Sequence, residues 1–272
     1  MKKLFILLVV SILLFSAISV LAKDNYLPDP SLKNIIDAGK IRIGTSPGYF
    51  PFEMINTKNE IIGFDADIAK YLADGLGVKL EMVDYDWNGL VPALLTGKVD
   101  IIISGMTILA SRAAKMSFSV PYTETGQAIV VNKEKSPNIS NWKELDKKGN
   151  KIAVVMGNSG EIVAPNFFKK AEIISYTGAT EAGLAVQTSK VNAVFNDQPW
   201  TSTWATKNPD KLYSLNELIT KEKLGIAIKH GKPELLQYIN TAITALRGTV
   251  NYDQIFDKWF ITMDWLKDIK AE

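Results

Sequence analysis

Among 28 lysines the chain carries only three arginines, Arg42, Arg112 and Arg247. A planar guanidinium can hold a carboxylate with two parallel hydrogen bonds, which an ammonium cannot imitate. Arg112 stands five residues beyond Thr107, which closes the run Ser104-Gly105-Met106-Thr107 after an apolar segment. It could clamp a carboxylate there, or be a surface charge on the helix that follows. Asp197 ends another apolar segment. Its carboxylate could accept from an ammonium, or cap a helix beginning near Pro199. Gly157-Asn158-Ser159-Gly160 reads as a strand-to-helix turn. Its backbone N–H groups could meet a carboxylate at the helix start, or serve only as a cap. Tyr49 and Trp87 could stack on a ligand side chain, or pack as core.

Other chemistries lack their parts. The single histidine, His230, lies in Lys229-His230-Gly231-Lys232, read as an exposed loop, and no G-x-S-x-G nucleophile elbow accompanies it. The chain has no cysteine, which excludes disulfides, zinc-thiolate sites, cysteine nucleophiles and a lipid on an N-terminal cysteine. No phosphate loop or dinucleotide fingerprint is present. Asp84, Asp86, Asn88 and Gly89 match the first half of a calcium loop. Leu95 then stands where a bidentate glutamate is needed, and Pro92 falls inside the loop. No cofactor and no metal is expected.

These residues must be held by elements, and strand-like and helix-like segments alternate. Ile41–Gly44, Leu80–Val83 and Asp100–Ile103 read as strands, separated by helices at 64–76 and from Leu90. Phe64, Ile68, Leu72 and Leu76 recur every four residues, as one buried helix face requires. The order repeats with strands 152–156, 173–176 and 191–195 and helices 161–170 and 180–188. Alternation of this kind predicts α/β lobes, each a mostly parallel sheet flanked by helices. Two extended stretches, 125–135 and 224–228, read as crossovers between lobes, and the last helices are expected at 233–246 and 252–259. In open parallel sheets, ligands bind beyond the carboxyl ends of the strands. The candidate binding residues follow such ends, Arg112 five residues beyond Thr107, and two facing crevices would enclose a small molecule.

Lys2 and Lys3 precede an almost wholly apolar run, Leu4 to Leu21, with small residues Val20 and Ala22 before Lys23. That is the layout of a secretory signal peptide over residues 1–22, cut after Ala22. Export without a lipid cysteine fits a free protein in a periplasm. Loss of the leader removes two lysines and leaves 29 basic against 29 acidic residues. The balance gives no basic face for nucleic acid.

Several segments in order resemble the periplasmic amino-acid-binding proteins of ABC transporters, solute-binding protein family 3. They are Thr45 with Tyr49-Phe50-Pro51-Phe52-Glu53, Gly63-Phe64-Asp65-Ala66-Asp67, Trp87 through Leu94, Gly97-Lys98-Val99-Asp100, Met106-Thr107-Ile108 with Arg112, Phe118 through Tyr122, and Lys258-Trp259-Phe260. The resemblance spans roughly Leu32 to Phe260. It implies a two-lobed, type II periplasmic-binding-protein-like fold with two hinge crossovers, lobe 1 from residues 23–126 and 226–272 and lobe 2 from 127–225. It also implies a monomer that captures an amino acid, expected to be polar, and delivers it to a membrane permease. By position, Arg112 would clamp the α-carboxylate with the N–H groups of Thr107 and Ser159. Asp197 and the Thr107 hydroxyl would hold the α-ammonium, with a carbonyl near Ser104 or Gly105. Tyr49 and Trp87 would sandwich the side chain, and Asn158 would line the edge of the second lobe. Ser46 stands where several members carry an aspartate facing the far end of the ligand, which weakens the case for a strongly cationic one. Glu53 or Asp86 could compensate. The resemblance leaves one enzymatic alternative, a cyclohexadienyl or arogenate dehydratase on the same fold.

Overall fold

The computed structural model describes residues 29–215 and 217–269. The leader expected over residues 1–22 lies outside them. From Ser31 onward the chain forms one compact unit.

Among the described residues, two five-stranded sheets carry this unit. The first is built by α1 (Ser31–Ala38), β1 (Lys40–Thr45), β2 (Met54–Ile55), β3 (Ile61–Ile62), α2 (Phe64–Leu76), β4 (Lys79–Asp84), α3 (Trp87–Leu95), β5 (Ile101–Ile102), α4 (Ala110–Ala113) and β6 (Ser117–Phe118). The chain then runs through β7 (Thr123–Thr125) into β8 (Gln127–Asn132), β9 (Lys151–Val155), α5 (Ser159–Phe167), β10 (Glu172–Tyr176), α6 (Ala179–Gln187), β11 (Ala193–Asp197), α7 (Gln198–Lys207) and β12 (Leu212–Leu215). It returns through β13 (Glu222–Leu224) to β14 (Ala227–Ile228), α8 (Pro233–Leu246) and α9 (Val250–Phe256).

The first sheet has the order β4-β1-β5-β14-β6 and the second β10-β9-β11-β8-β12. In each, the three strands joined by helices are parallel, with Ile43 opposite Ile101 in one and Val194 opposite Ala153 in the other. The remaining strands run antiparallel, β14 against β5 and β6, and β8 against β11 and β12. The sheets are thus parallel on one side and antiparallel where the chain enters or returns.

The crossovers are shorter than the extended stretches in the sequence indicate. Ala128–Val131 is the middle of β8, which is buried along its whole length because sheet neighbours and helices cover both faces. Of the second stretch, Ala227–Ile228 already belongs to the first sheet. The crossovers proper are β7 and β13, which pair antiparallel from Thr123 opposite Leu224 to Thr125 opposite Glu222. The final helix also ends earlier than expected: α9 stops at Phe256 and continues as a π turn over Asp257–Thr262, closed by Met263 in a left-handed conformation.

Apolar burial fixes these elements. Phe64, Ile68 and Leu72 of α2 are fully buried, as are Ile239 and Ile243 of α8. Each such side chain contributes about 1.5–3 kcal/mol of transfer free energy. Gly77 stops α2 with φ 67°, a conformation that costs glycine little. Phe50, from the loop after β1, packs against Trp204 of α7 with centroids 6.2 Å apart, and Trp204 stacks on Trp200 at 5.2 Å.

Candidate functional site

The carboxyl ends of the parallel strands face each other across the two sheets. A cavity of about 540 Å³ lies there. The first sheet contributes Ser46, Pro47, Gly48 and Tyr49 from the loop after β1, Glu53, and Asp86, Trp87 and Asn88 from the start of α3. The second contributes Val155, Asn158 and residues 177–181 at the start of α6. Of the residues singled out in the sequence, Ser46, Tyr49, Glu53, Asp86, Trp87 and Asn158 line this cavity. Arg112, Asp197, Thr107, Ser104, Gly105 and Ser159 are not among its lining residues; they form an adjoining polar cluster.

That cluster joins the two sheets. Arg112 donates from Nη1 to the carbonyl of Thr107 at 2.9 Å and from Nη2 to the carbonyl of Gly157, beyond β9, at 2.8 Å. Its guanidinium lies 5.2 Å from the ring centre of Trp87. The Trp87 indole in turn approaches Gly157, where φ is 77° and a Cβ would stand 2.8 Å from Asn88 Oδ1 and 3.3 Å from Trp87 Nε1. That left-handed conformation is one glycine adopts at little cost. Burial lowers the Arg112 pKa, opposed by the charges of Asp197 and Glu222.

Asp197 takes the N-cap position of α7, yet its side chain makes no capping bond. Its carboxylate accepts instead from the Tyr49 hydroxyl and, at 2.6 Å, from Gln127 Nε2. The Tyr49 hydroxyl also lies 3.2 Å from Asn196 Oδ1, and Asn158 Nδ2 donates to that same oxygen at 3.3 Å. Burial, and then the negative charge of Glu222, push Asp197 up to about 8. Burial is also the first cause of the raised pKa of Tyr49, with Asp197 second.

Thr107 donates to Glu222 Oε2 at 2.8 Å and stands 3.2 Å from Ser159 Oγ. It is tied to the crossover strand as well: Ile108 N–H donates to the Lys223 carbonyl and Gly225 N–H to the Met106 carbonyl. Glu222, Gln127 and Asn196 are therefore part of the cluster although the sequence did not single them out. Glu222 stands between Lys221 and Lys223 and reads as a solvated charge, but strand pairing turns it inward.

Ser104 and Gly105 brace the first sheet's loops. Ser104 Oγ donates to Glu53 Oε1 at 2.6 Å and accepts from Ser46 N–H at 3.0 Å. Gly105 N–H donates to Asp65 Oδ2 at 2.7 Å, and Tyr122 Oη donates to the same oxygen at 3.0 Å. Glu53 and Asp65 are both fully buried. Burial and the neighbouring Asp65 charge hold Glu53 well above the carboxylate range, and burial raises Asp65 to about 7. His230 is exposed, with Nδ1 2.9 Å from Ser117 Oγ.

A cavity between two α/β sheets joined by paired crossovers, with an arginine on one side and an aspartate on the other, defines a two-lobed binding protein. The profile of the bacterial extracellular solute-binding proteins, family 3, matches residues 41–262, and the chain belongs to that family. It is 30% identical over 228 residues to ABC transporter arginine-binding protein 1 of Escherichia coli, covering 82% of this chain and 91% of that one. Among solved structures it is similar to a putative binding component of an ABC transporter from Wolinella succinogenes, complexed with lysine. The TM-score is 0.80 and the identity 37%, over 85% of this chain and 99% of the other. It is also similar, at TM-score 0.77 and 37% identity over the same shares, to an ancestral amino acid-binding protein described as a precursor of cyclohexadienyl dehydratase.

Proposed function

We propose that the protein is an exported, periplasmic binding protein that captures a free amino acid between its lobes and presents it to the permease of an ABC transporter. The observation that carries this reading is the polar cluster, in which one arginine and one buried aspartate come from facing lobes. An amino acid carries both complementary charges on one carbon. Arg112 clamps its carboxylate, assisted by the N–H groups of Thr107 and Ser159. The ammonium goes to Asp197 and the Thr107 hydroxyl, whose own proton is already directed to Glu222. At pH 7 Asp197 is mostly protonated, since its pKa lies at about 8. An arriving ammonium takes the place of that proton. Tyr49 and Trp87 border the side chain, and Ser46, Glu53 and Asn158 complete the wall.

Only a ligand that touches both lobes favours the closed arrangement, so binding shifts the population toward it. Ser104 and Gly105 act in this reading by holding the first lobe's loops. The protein works as a monomer and catalyses no reaction.

The test is calorimetric titration of refolded protein with the twenty amino acids. One-to-one binding without turnover supports the proposal. The dehydratase reading draws on the ancestral neighbour and on the buried Glu53 beside the cavity as an acid. Time-dependent loss of prephenate or arogenate would replace the binding reading with that one.

A further inference from the structure

We propose that the cavity selects amino acids whose side chain ends in a cation, and that Asp86 from one lobe and Glu181 from the other make the selection. This deepens the amino-acid reading of the site and rests on it.

The chain as a whole has 31 basic and 29 acidic residues, but the residues lining the cavity include three acids, Glu53, Asp86 and Glu181, and no lysine or arginine. Asp86 occupies the N-cap position of α3, where an aspartate ordinarily bonds to the first helical N–H groups. Its side chain makes no such bond, so the carboxylate is left exposed at the cavity. Glu181 enters from the facing lobe in the first turn of α6. Its carboxylate folds back over Gly178, so that a Cβ on Gly178 would collide with Oε2, and the positive end of the helix favours its charge there.

Glu53 lies on the same wall, but its carboxyl is engaged by Ser104 Oγ and Asp65, so the free charge of the wall is that of Asp86 and Glu181. A guanidinium or an ammonium brings donors and no acceptor, which suits a wall of carboxyl oxygens. An acidic side chain would meet only like charge. A neutral amide would leave the Asp86 carboxylate, which makes no capping bond, without a partner. Rejection of these alternatives is as much a part of specificity as attraction to the cation. The volume is within the range of small-ligand pockets and has room for an extended side chain.

Refolded full-length protein, titrated with L-arginine, L-lysine, L-citrulline and L-glutamate, tests the proposal. Citrulline keeps the shape of arginine and lacks its charge. Arginine or lysine is expected to bind about tenfold or more tightly than citrulline, since each solvent-exposed ion pair adds only a few-fold. Glutamate is expected to be the weakest. In the double variant Asp86→Asn, Glu181→Gln the preference for arginine over citrulline should collapse toward one, with melting used to verify folding. Citrulline binding as well as arginine overturns the proposal and leaves amino-acid capture standing. A preference unchanged in the double variant overturns the assignment to these two residues. Binding of no amino acid at all overturns the underlying function instead.

Discussion

In the proposed site Arg112 and Asp197 have different tasks, and their substitutions separate them. Removing one partner of a desolvated charge pair costs about 2–5 kcal/mol, so Arg112→Ala should weaken amino-acid binding by roughly 30-fold to several-thousand-fold, read by calorimetry. Asp197 adds a pH dependence. An ammonium requires the anionic form, so affinity should rise about tenfold per pH unit up to about 8 and then level. Asp197→Asn should bind weakly, with this slope removed. Stability without ligand moves the opposite way. The folded pKa of about 8 lies above the ordinary 3.8, so the folded state holds the proton longer than the unfolded chain. That contribution is fully present below about pH 4 and is lost as the pH climbs through about 8, so the melting temperature should fall across this window, less so in Asp197→Asn. Arg112, Asp197, Tyr49 and Trp87 could be singled out in the sequence because a rare arginine, a carboxylate and two aromatics fell beyond strand ends. Glu222 and Gln127 could not, since one sits between lysines and the other begins an apolar strand, and only pairing of distant segments turns the first toward Thr107 and the second toward Asp197.

At the scale of elements, the sequence made the helix-linked strands legible through periodicity, as in Phe64, Ile68 and Leu72 of α2. It concealed the role of Ala128–Val131, because an apolar run without alternation has the same appearance in a linker and in a strand covered on both faces. The pairing of β7 with β13 depends on the approach of residues nearly a hundred positions apart, which no local pattern encodes. That approach is close. A Cβ on Gly126 would collide with the backbone carbonyl of Thr220. Gly126→Ala must therefore displace backbone at the crossovers, at a cost of about 1–3 kcal/mol. For a unit of this size each kcal/mol lowers the melting temperature by about 2–4 °C, a shift that calorimetric scanning resolves. Because Thr107 hangs from the same crossover strand through Ile108 and Gly225, the substitution should also weaken ligand binding.

For the whole molecule, the contacts of Arg112 with Gly157, Thr107 with Ser159 and Tyr49 with Asp197 join the lobes on one side of the paired crossovers. A ligand that strengthens this arrangement should reduce the radius of gyration seen by X-ray scattering, and Arg112→Ala should abolish that change. The central claim is that this protein holds a free amino acid. Its most direct test is a thermal-shift screen of refolded, ligand-stripped protein against the twenty amino acids. A ligand that binds only the folded state raises the melting temperature with its concentration. A concentration-dependent rise is expected for one chemical group of amino acids, led by those with cationic side chains. A folded, ligand-free protein whose melting temperature none of them raises would contradict it.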